Sequence, residues 1–346
     1  REMKLSQLLA GVDIVSTTAD MDMEVGGVAC DSRKVQPGDL FVAVVGYATD
    51  GNKYIPMALE KGAAVVVTAK EQDDAVPFVQ VASDRLALAQ IGGNFFDHPG
   101  KEMTVVGVTG TNGKTSVTWL LKQLLEKVTH AKVGLIGTME NHIGDLVLDT
   151  DRTTPESIQL QRLFARMRDA GCKYVIMEVS SHAIALERVA GVHFDVAAFT
   201  NLTEDHLDFH HTMEAYCDAK AILFRHCGVG VCNADSEWTE RLLREATCEK
   251  YFYAEQAEAD LRAEDVVLES DHISFTAVTK DERVPVRVNI PGGFMVYNTL
   301  DVLGAALALG VSLEQSARAL ANMSGVKGRV EVVPTPGKDY TVLIDY

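Results

Sequence analysis

Between Val117 and Val128 the aliphatic side chains fall at Val117, Leu120, Leu121, Leu124, Leu125 and Val128. That i, i+3, i+4, i+7, i+8, i+11 series draws one continuous stripe along a helix. Immediately upstream, Val105-Val106-Gly107-Val108 is an apolar run of strand length, and a glycine-punctuated turn joins the two. The alternation continues downstream. Lys132 to Ile136, Tyr174 to Val179 and Val196 to Thr200 read as strands, the last two running into polar loops. Thr154-Pro155 opens a helix with a hydroxyl cap and a proline in the first turn, and Gly171 stops it. Met213 to Phe224 is a further helix. The order predicts an α/β domain over residues 99–333, with a mostly parallel sheet carrying helices on both faces.

The flanking segments follow different patterns. Residues 1–98 form a smaller α/β unit: a short helix at Leu5, Leu8 and Leu9, buried strands at Asp39 to Val45 and Ala64 to Val67, and helices at Tyr54 to Lys61 and Asp84 to Phe96. Ser83 or Asp84 caps the second of these helices. His98-Pro99-Gly100 punctuates the boundary as a linker. Beyond Asn233, His272 to Val278 and Val284 to Val288 suggest a small antiparallel addition within the stretch from 250 to 290. Helices at Phe294 to Leu309 and after the capping box Ser312-Leu313-Glu314-Gln315 follow. Pro334-Thr335-Pro336-Gly337 is a second linker, and Thr341 to Tyr346 reads as a strand. Residues 334–346 are thus a hinge and the first strand of a further, truncated domain.

Bulk properties narrow the class. A chain of 346 residues exceeds a single core, and 47% hydrophobic with 23% charged residues suits a globular α/β enzyme. The formal charge of −17 argues against nucleic acid as a partner, so anionic ligands must be held by local groups. No apolar run approaches the ~20 residues of a membrane helix, and Arg1-Glu2-Met3-Lys4 lacks the apolar core of a signal peptide. Six cysteines without a C-x-x-C pair fit free thiols in a reducing cytoplasm. The chain is expected to be cytoplasmic and monomeric.

The turn Gly110-Thr111-Asn112-Gly113-Lys114-Thr115-Ser116 has the layout of a phosphate-binding loop. Gly110 and Gly113 let backbone amides approach phosphates, Lys114 adds a point charge, the helix start adds partial positive charge, and the Thr115 hydroxyl is a Mg²⁺ ligand. Val108 stands where the common pattern has its first glycine; the plainer alternative is a strand-to-helix turn with a surface lysine. Glu178 closes an apolar strand just before Val179-Ser180-Ser181-His182, either as a Mg²⁺ ligand at the sheet's edge or as a cap on the next turn. Lys220 falls within the face formed by Met213, Tyr216, Cys217, Leu223 and Phe224. It is either a lysine snorkelling from a helix edge or a desolvated amine that has taken up CO₂ as a carbamate, an oxygen ligand for Mg²⁺. The run from Thr203 to His211 lacks zinc spacing; His206 beside Asp205 is its candidate ligand, and His210 and His211 read as solvated loop residues.

Taken together these residues resemble the Mur ligases, ATP-dependent amide-forming enzymes of cell-wall precursor synthesis. The resemblance rests on Gly-Thr-Asn-Gly-Lys-Thr with its missing first glycine, Glu178 in Met-Glu-Val-Ser-Ser-His, and His206 in Asp-His-Leu-Asp. Lys220 in Ala-Lys, Asn298 in Pro-Gly-Gly-Phe-Met-Val-Tyr-Asn and Arg329 in Gly-Arg-Val-Glu complete it. Asp31-Ser32-Arg33, Thr153-Thr154-Pro155 and Ser-Ser-His are similar to the UDP-N-acetylmuramoyl-tripeptide synthetase branch. The resemblance implies that residues 1–98 bind a UDP-substrate and residues 99–333 bind ATP. Gly110, Thr111, Asn112, Gly113, Lys114, Thr115 and Ser116 would cradle ATP, with Thr115 and Glu178 on one Mg²⁺ and His206 and carbamylated Lys220 on a second. Asn298 and Arg329 would meet the adenine and ribose side, and Asp345 would mark the hinge. Ser32 would contact the UDP end, and Thr153, Thr154, Ser180 and Arg188 the muramoyl-dipeptide. The implied partners are UDP-MurNAc-L-Ala-D-Glu and meso-diaminopimelate or L-lysine.

Three departures stand out. Ser116 replaces a common threonine, Leu186 occupies a position where some members place a glutamine, and the chain stops at Asp345-Tyr346, where the family continues into a C-terminal Rossmann-like domain. A chain ending there is expected to bind nucleotide and UDP-substrate weakly and to ligate poorly. Two alternatives remain: a folylpolyglutamate-synthase-like ligase, which has its phosphate loop near the N-terminus, and a non-catalytic nucleotide-binding scaffold, which would need no second metal.

Overall fold

Seven parallel strands, extended at both edges by antiparallel ones, carry the phosphate-loop region of this protein. The computed structural model describes residues 2–46, 49–73, 76–138, 140–149, 155–203, 210–323, 330–333 and 342–345. Two compact units divide the chain. One comprises Arg1–Glu102 with Pro155–Arg166 and Leu186–Val192; the other comprises Met103–Thr154, Met167–Ala185 and His193–Tyr346.

In the first unit a five-stranded sheet runs Ile14–Thr17, Phe78–Val81, Val65–Thr68, Leu40–Val42, Val28–Ala29, parallel except for its first strand. Leu40, Val42, Val65, Val67, Val79 and Val81 point into one core with Leu88 and Ile91 of the helix Asp84–Phe95. Ser83 starts that helix by accepting the Leu86 N–H at 3.3 Å. The predicted linker at His98-Pro99-Gly100 is a tight turn, with Asp97 and His98 at positive φ before a 3-10 helix, Pro99–Glu102.

In the second unit the sheet order is Leu146–Asp149, Glu140–Ile143, Val133–Ile136, Tyr174–Glu178, Thr104–Thr109, Phe194–Phe199, Cys227–Asn233, Glu249–Ala254, Leu261–Leu268, Ile273–Val278, Arg283–Val288. The helix Lys114–Thr129 buries Val117, Leu120, Leu121, Leu124 and Leu125 completely, so the stripe read from the sequence is its core face. Burying these side chains contributes about 2 kcal/mol each against the entropy of ordering them.

The sequence reading needs three corrections here. The antiparallel pair Ile273–Val278 and Arg283–Val288 is present as read, but Glu249–Ala254 and Leu261–Leu268 before it run parallel and join it to the main sheet. A hairpin, Glu140–Ile143 with Leu146–Asp149, turns at Gly144-Asp145 and was not foreseen. The helix expected to open at Pro155 begins at Ser157, because the Glu156 carbonyl accepts the Leu160 N–H at 2.8 Å and so organises the first turn. Gly171, at φ 87°, follows its end. Val342–Asp345 pairs antiparallel with Val330–Val333, and the second linker lies outside the described residues. Among the described residues no helix is long and apolar enough to cross a membrane, and all six cysteines are free thiols.

Candidate active site

The register of the parallel strands brings the candidate residues together. Glu178 pairs with Val108 and Phe199 with Thr109, so three neighbouring strands end at one level. Loops leaving the carboxyl ends of such strands are where ligands gather in α/β sheets. From the middle strand, Thr104–Thr109, the chain turns through Gly110, at φ 143°, and Gly113, at φ 90°, into the helix Lys114–Thr129. Both glycines are required. A Cβ on Gly110 would sit 1.9 Å from Thr200 Oγ1, and one on Gly113 would sit 2.4 Å from Asn298 Oδ1. Val108, in place of the common first glycine, is a fully buried strand residue, and the bend begins two residues later.

The helix start presents backbone N–H groups without intrahelical acceptors, the usual basis of an anion cradle. Lys114 curls back over the loop, its Nζ donating to the Gly110 carbonyl at 2.7 Å and the Thr111 carbonyl at 3.3 Å. Thr115, one residue further along, is buried and donates its hydroxyl to Glu178 Oε1 at 2.8 Å. Glu178 is 1% exposed. It also accepts the Thr138 N–H at 2.7 Å on Oε2 and the Thr138 hydroxyl at 3.1 Å on Oε1. Thr138 escaped the sequence reading because a threonine in a turn carries no signal of its partner.

Lys220 is 1% exposed on the helix Met213–Phe224, which Thr212 caps by accepting the Ala215 N–H. Its Nζ lies 3.2 Å from both Thr109 Oγ1 and the Gly110 carbonyl, and 4.8 Å from the centre of the Tyr216 ring. Lys220 therefore does not snorkel to solvent; it points at the base of the loop. Tyr216 adds a hydroxyl contact of 3.0 Å to Thr111 Oγ1. Burial pushes the neighbouring Cys217 thiol up to about 11, with Asp218 adding to the rise, so this sulfur stays protonated and uncharged.

His210 corrects the sequence reading. It is buried, not solvated, with Nε2 2.9 Å from Ser181 Oγ and its ring between His182 and Tyr216. Ser181, His182 and Tyr216 pack against it, a tertiary effect that a polar local sequence conceals. His211 is exposed, as read. Ser180 caps the short helix Ser181–Ala185 by accepting the Ala183 N–H at 3.1 Å.

Asn298 is buried on the helix Phe294–Ala308, its side chain against Gly113. One turn on, Asp301 is completely buried, and burial holds its carboxyl far above the usual carboxylate range, as a neutral acid. Ser32 and Arg188 belong to the first unit. Ser32 is buried in the 3-10 turn Ser32–Lys34, which Asp31 caps, and Arg188 pairs with Glu156 at 3.1 Å. Ser116 is half-buried on the helix after the loop. Thr153, Thr154, His206 and Arg329 lie outside the described residues, and of Asp345 only the strand backbone is described.

Gly113→Ala tests the tightest point of the loop. A Cβ at positive φ, pressed on Asn298, forces the helix start away from its place. Nucleotide affinity, measured by titration calorimetry with MgATP, is expected to fall at least about tenfold.

A parallel sheet with a glycine loop, lysine and hydroxyl at a helix start defines a nucleotide-binding α/β protein of the phosphate-loop class. The profile described as "Mur ligase middle domain" matches residues 108–306, and that described as "Mur ligase family, catalytic domain" matches residues 24–94. The UDP-N-acetylmuramoyl-L-alanyl-D-glutamate--2,6-diaminopimelate ligase of Clostridium botulinum is 41% identical over 350 residues, covering 99% of this chain and 72% of that protein. Ligase 1 of the same name from Clostridium acetobutylicum is 41% identical over 347 residues, with the same coverage. A solved structure of a UDP-N-acetylmuramoyl-L-alanyl-D-glutamate--2,6-diaminopimelate ligase superposes with a TM-score of 0.87 at 25% identity, covering 100% of this chain and 71% of that one. The chain belongs to the Mur ligase family.

Proposed function

We propose that this protein is an ATP-dependent ligase of peptidoglycan precursor synthesis that joins 2,6-diaminopimelate to UDP-MurNAc-L-Ala-D-Glu, working in the cytoplasm. Lys220 carries the reading: a buried lysine aimed at the base of the phosphate loop serves a ligase of this family and has no use in a plain nucleotide binder. The 41% identity across nearly the whole chain to ligases of that name supports the substrate and sets aside the folylpolyglutamate alternative.

Phosphoryl transfer requires positioning and charge neutralisation more than covalent help. Lys114 and the amides of the helix start neutralise the phosphates. The oxygens of Thr115 and Glu178, 2.8 Å apart, are the hard donors that Mg²⁺ prefers, and they would hold one ion. His206 and Lys220, the latter as a carbamate, would hold a second; CO₂ adds to the amine nitrogen and a proton leaves to solvent. Bound there, the ions would supply charge stabilisation on the transferring phosphoryl group. Asn298 and Arg329 orient the nucleoside, with Asp345 at the hinge; Ser32 meets the UDP end, and Thr153, Thr154, Ser180 and Arg188 meet the muramoyl-dipeptide. The γ-phosphoryl group passes to the side-chain carboxylate of D-glutamate, the incoming amine attacks the acyl phosphate, and phosphate departs.

The test, in a protein that carries this chain on through the family's C-terminal domain, is phosphate release from MgATP with UDP-MurNAc-L-Ala-D-Glu and either meso-diaminopimelate or L-lysine. Release that requires the UDP-substrate and diaminopimelate is the expected result. Release with L-lysine instead would change the amino acid, and release independent of the UDP-substrate would defeat the reading.

A further inference from the structure

The phosphate loop is braced from outside as well as by Lys114. Beyond the strand Phe194–Phe199 the chain runs on beside the loop, and Thr200-Asn201 binds it along its length. The Thr200 N–H donates to the Thr109 carbonyl at 3.0 Å, and the Thr111 N–H donates to the Asn201 carbonyl at 2.9 Å. The Asn201 side chain then grips Asn112 through both its backbone N–H and its carbonyl. Asn201 Oδ1 accepts the Asn112 N–H at 3.0 Å, and Nδ2 donates to the Asn112 carbonyl at 3.2 Å. Thr200 Oγ1 donates to the same carbonyl at 2.6 Å. The clamp is itself anchored from behind. The completely buried Tyr253 donates its hydroxyl to the Phe199 carbonyl at 2.6 Å, fixing the strand end from which Thr200 and Asn201 project.

We propose that Asn201, assisted by Thr200, is a positioning residue for nucleotide binding, setting the geometry of the loop through Asn112 without touching the phosphates. The inference rests on the ligase reading, since it takes the loop to be the ATP site. Its physical content is preorganisation. A loop with two glycines at positive φ has a large conformational space, and ordering it around a ligand costs free energy that an already fixed loop does not. Asn201 also sorts the donors. It occupies the N–H groups of Thr111 and Asn112, so the cradle is formed by the amides from Gly113 onward, at the start of the helix. A carboxylate in its place would keep the acceptor for the Asn112 N–H but turn a lone pair toward the Asn112 carbonyl.

The experiment compares wild type with Asn201→Ala, Asn201→Asp and Thr200→Val. It uses MgATP titration calorimetry, nucleotide-free thermal melts and, in turnover, the KM for ATP against the KM for the UDP-substrate. Losing the paired bonds of Asn201 is expected to weaken MgATP about tenfold in the alanine and aspartate variants, and losing one bond about threefold in Thr200→Val. The nucleotide-free melting temperature and the KM for the UDP-substrate stay at their wild-type values, a split that a merely structural role would not produce. Should the alanine variant fail to fold, the aspartate and valine variants carry the comparison. Wild-type MgATP affinity in the folded Asn201 variants overturns the proposal, as does an equal rise in both KM values. A wild-type protein that binds no MgATP defeats the ligase reading itself, a distinguishable failure.

Discussion

Lys220→Ala is expected to leave a folded enzyme whose ligation rate is lower by about 10³-fold, with the loss in kcat. The substitution removes a side chain that reaches from the helix Met213–Phe224 to Thr109 and Gly110, at the root of the phosphate loop. Alanine is a good helix former, and the helix keeps Tyr216, Cys217, Leu223 and Phe224 in its buried face, so the fold tolerates the change. With the amine would go the proposed carbamate, hence the negative oxygen ligand that with His206 would hold the second Mg²⁺. Two measurements check the chain of cause. With ¹³C-labelled bicarbonate the wild type should show a carbamate resonance that Lys220→Ala lacks. The variant should retain MgATP binding through Lys114, Thr115 and the helix start, since these do not depend on Lys220. Wild-type turnover in Lys220→Ala would remove the lysine from the mechanism.

The position of Lys220 illustrates how far local pattern reaches. Its place in an apolar helix face was legible from spacing alone, because a 3.6-residue period fixes which side chains share a face. Its target was not, since Thr109 and Gly110 are brought to it by the packing of the helix on a parallel sheet. The same division runs through the fold. The strand-turn-helix at residues 104–129, the Ser83 and Ser312 caps and the helix Met213–Phe224 follow from short-range rules, and the structure places them where those rules do. The hairpin at Gly144-Asp145 was missed because each strand is only four residues long, too short for its alternation to stand out, although a Gly-Asp turn is a recognised signal. The continuation of the sheet through Glu249–Ala254 was missed because strand order is a tertiary property. Asn201 and Thr138 are likewise invisible one residue at a time: each is an ordinary polar residue whose role is its partner. His210 shows the converse error, since polar neighbours in sequence suggested solvent while Ser181 and Tyr216 bury it.

Glu178→Gln should separate metal binding from stability. The carboxylate is almost fully buried and accepts three hydrogen bonds: from the Thr115 hydroxyl at 2.8 Å, the Thr138 N–H at 2.7 Å and the Thr138 hydroxyl at 3.1 Å. Glutamine has the same shape. Its amide oxygen can accept the Thr138 N–H while its NH₂ group donates to the two hydroxyl oxygens, so these contacts are kept with the donor direction reversed at the hydroxyls. Removing a buried negative charge while keeping its hydrogen bonds costs little and can stabilise, so the melting temperature should stay level or rise. Magnesium behaves differently. An ion held by Glu178 and Thr115 would lose its anionic ligand, and the Thr115 oxygen would receive a hydrogen bond from the glutamine NH₂. The Mg²⁺ concentration for half-maximal activity should rise about 10- to 100-fold, with a comparable fall in kcat at fixed, limiting Mg²⁺. A magnesium titration of phosphate release at saturating ATP reads the shift directly. An unchanged half-saturation point would mean that Glu178 serves only to hold the turn at Thr138.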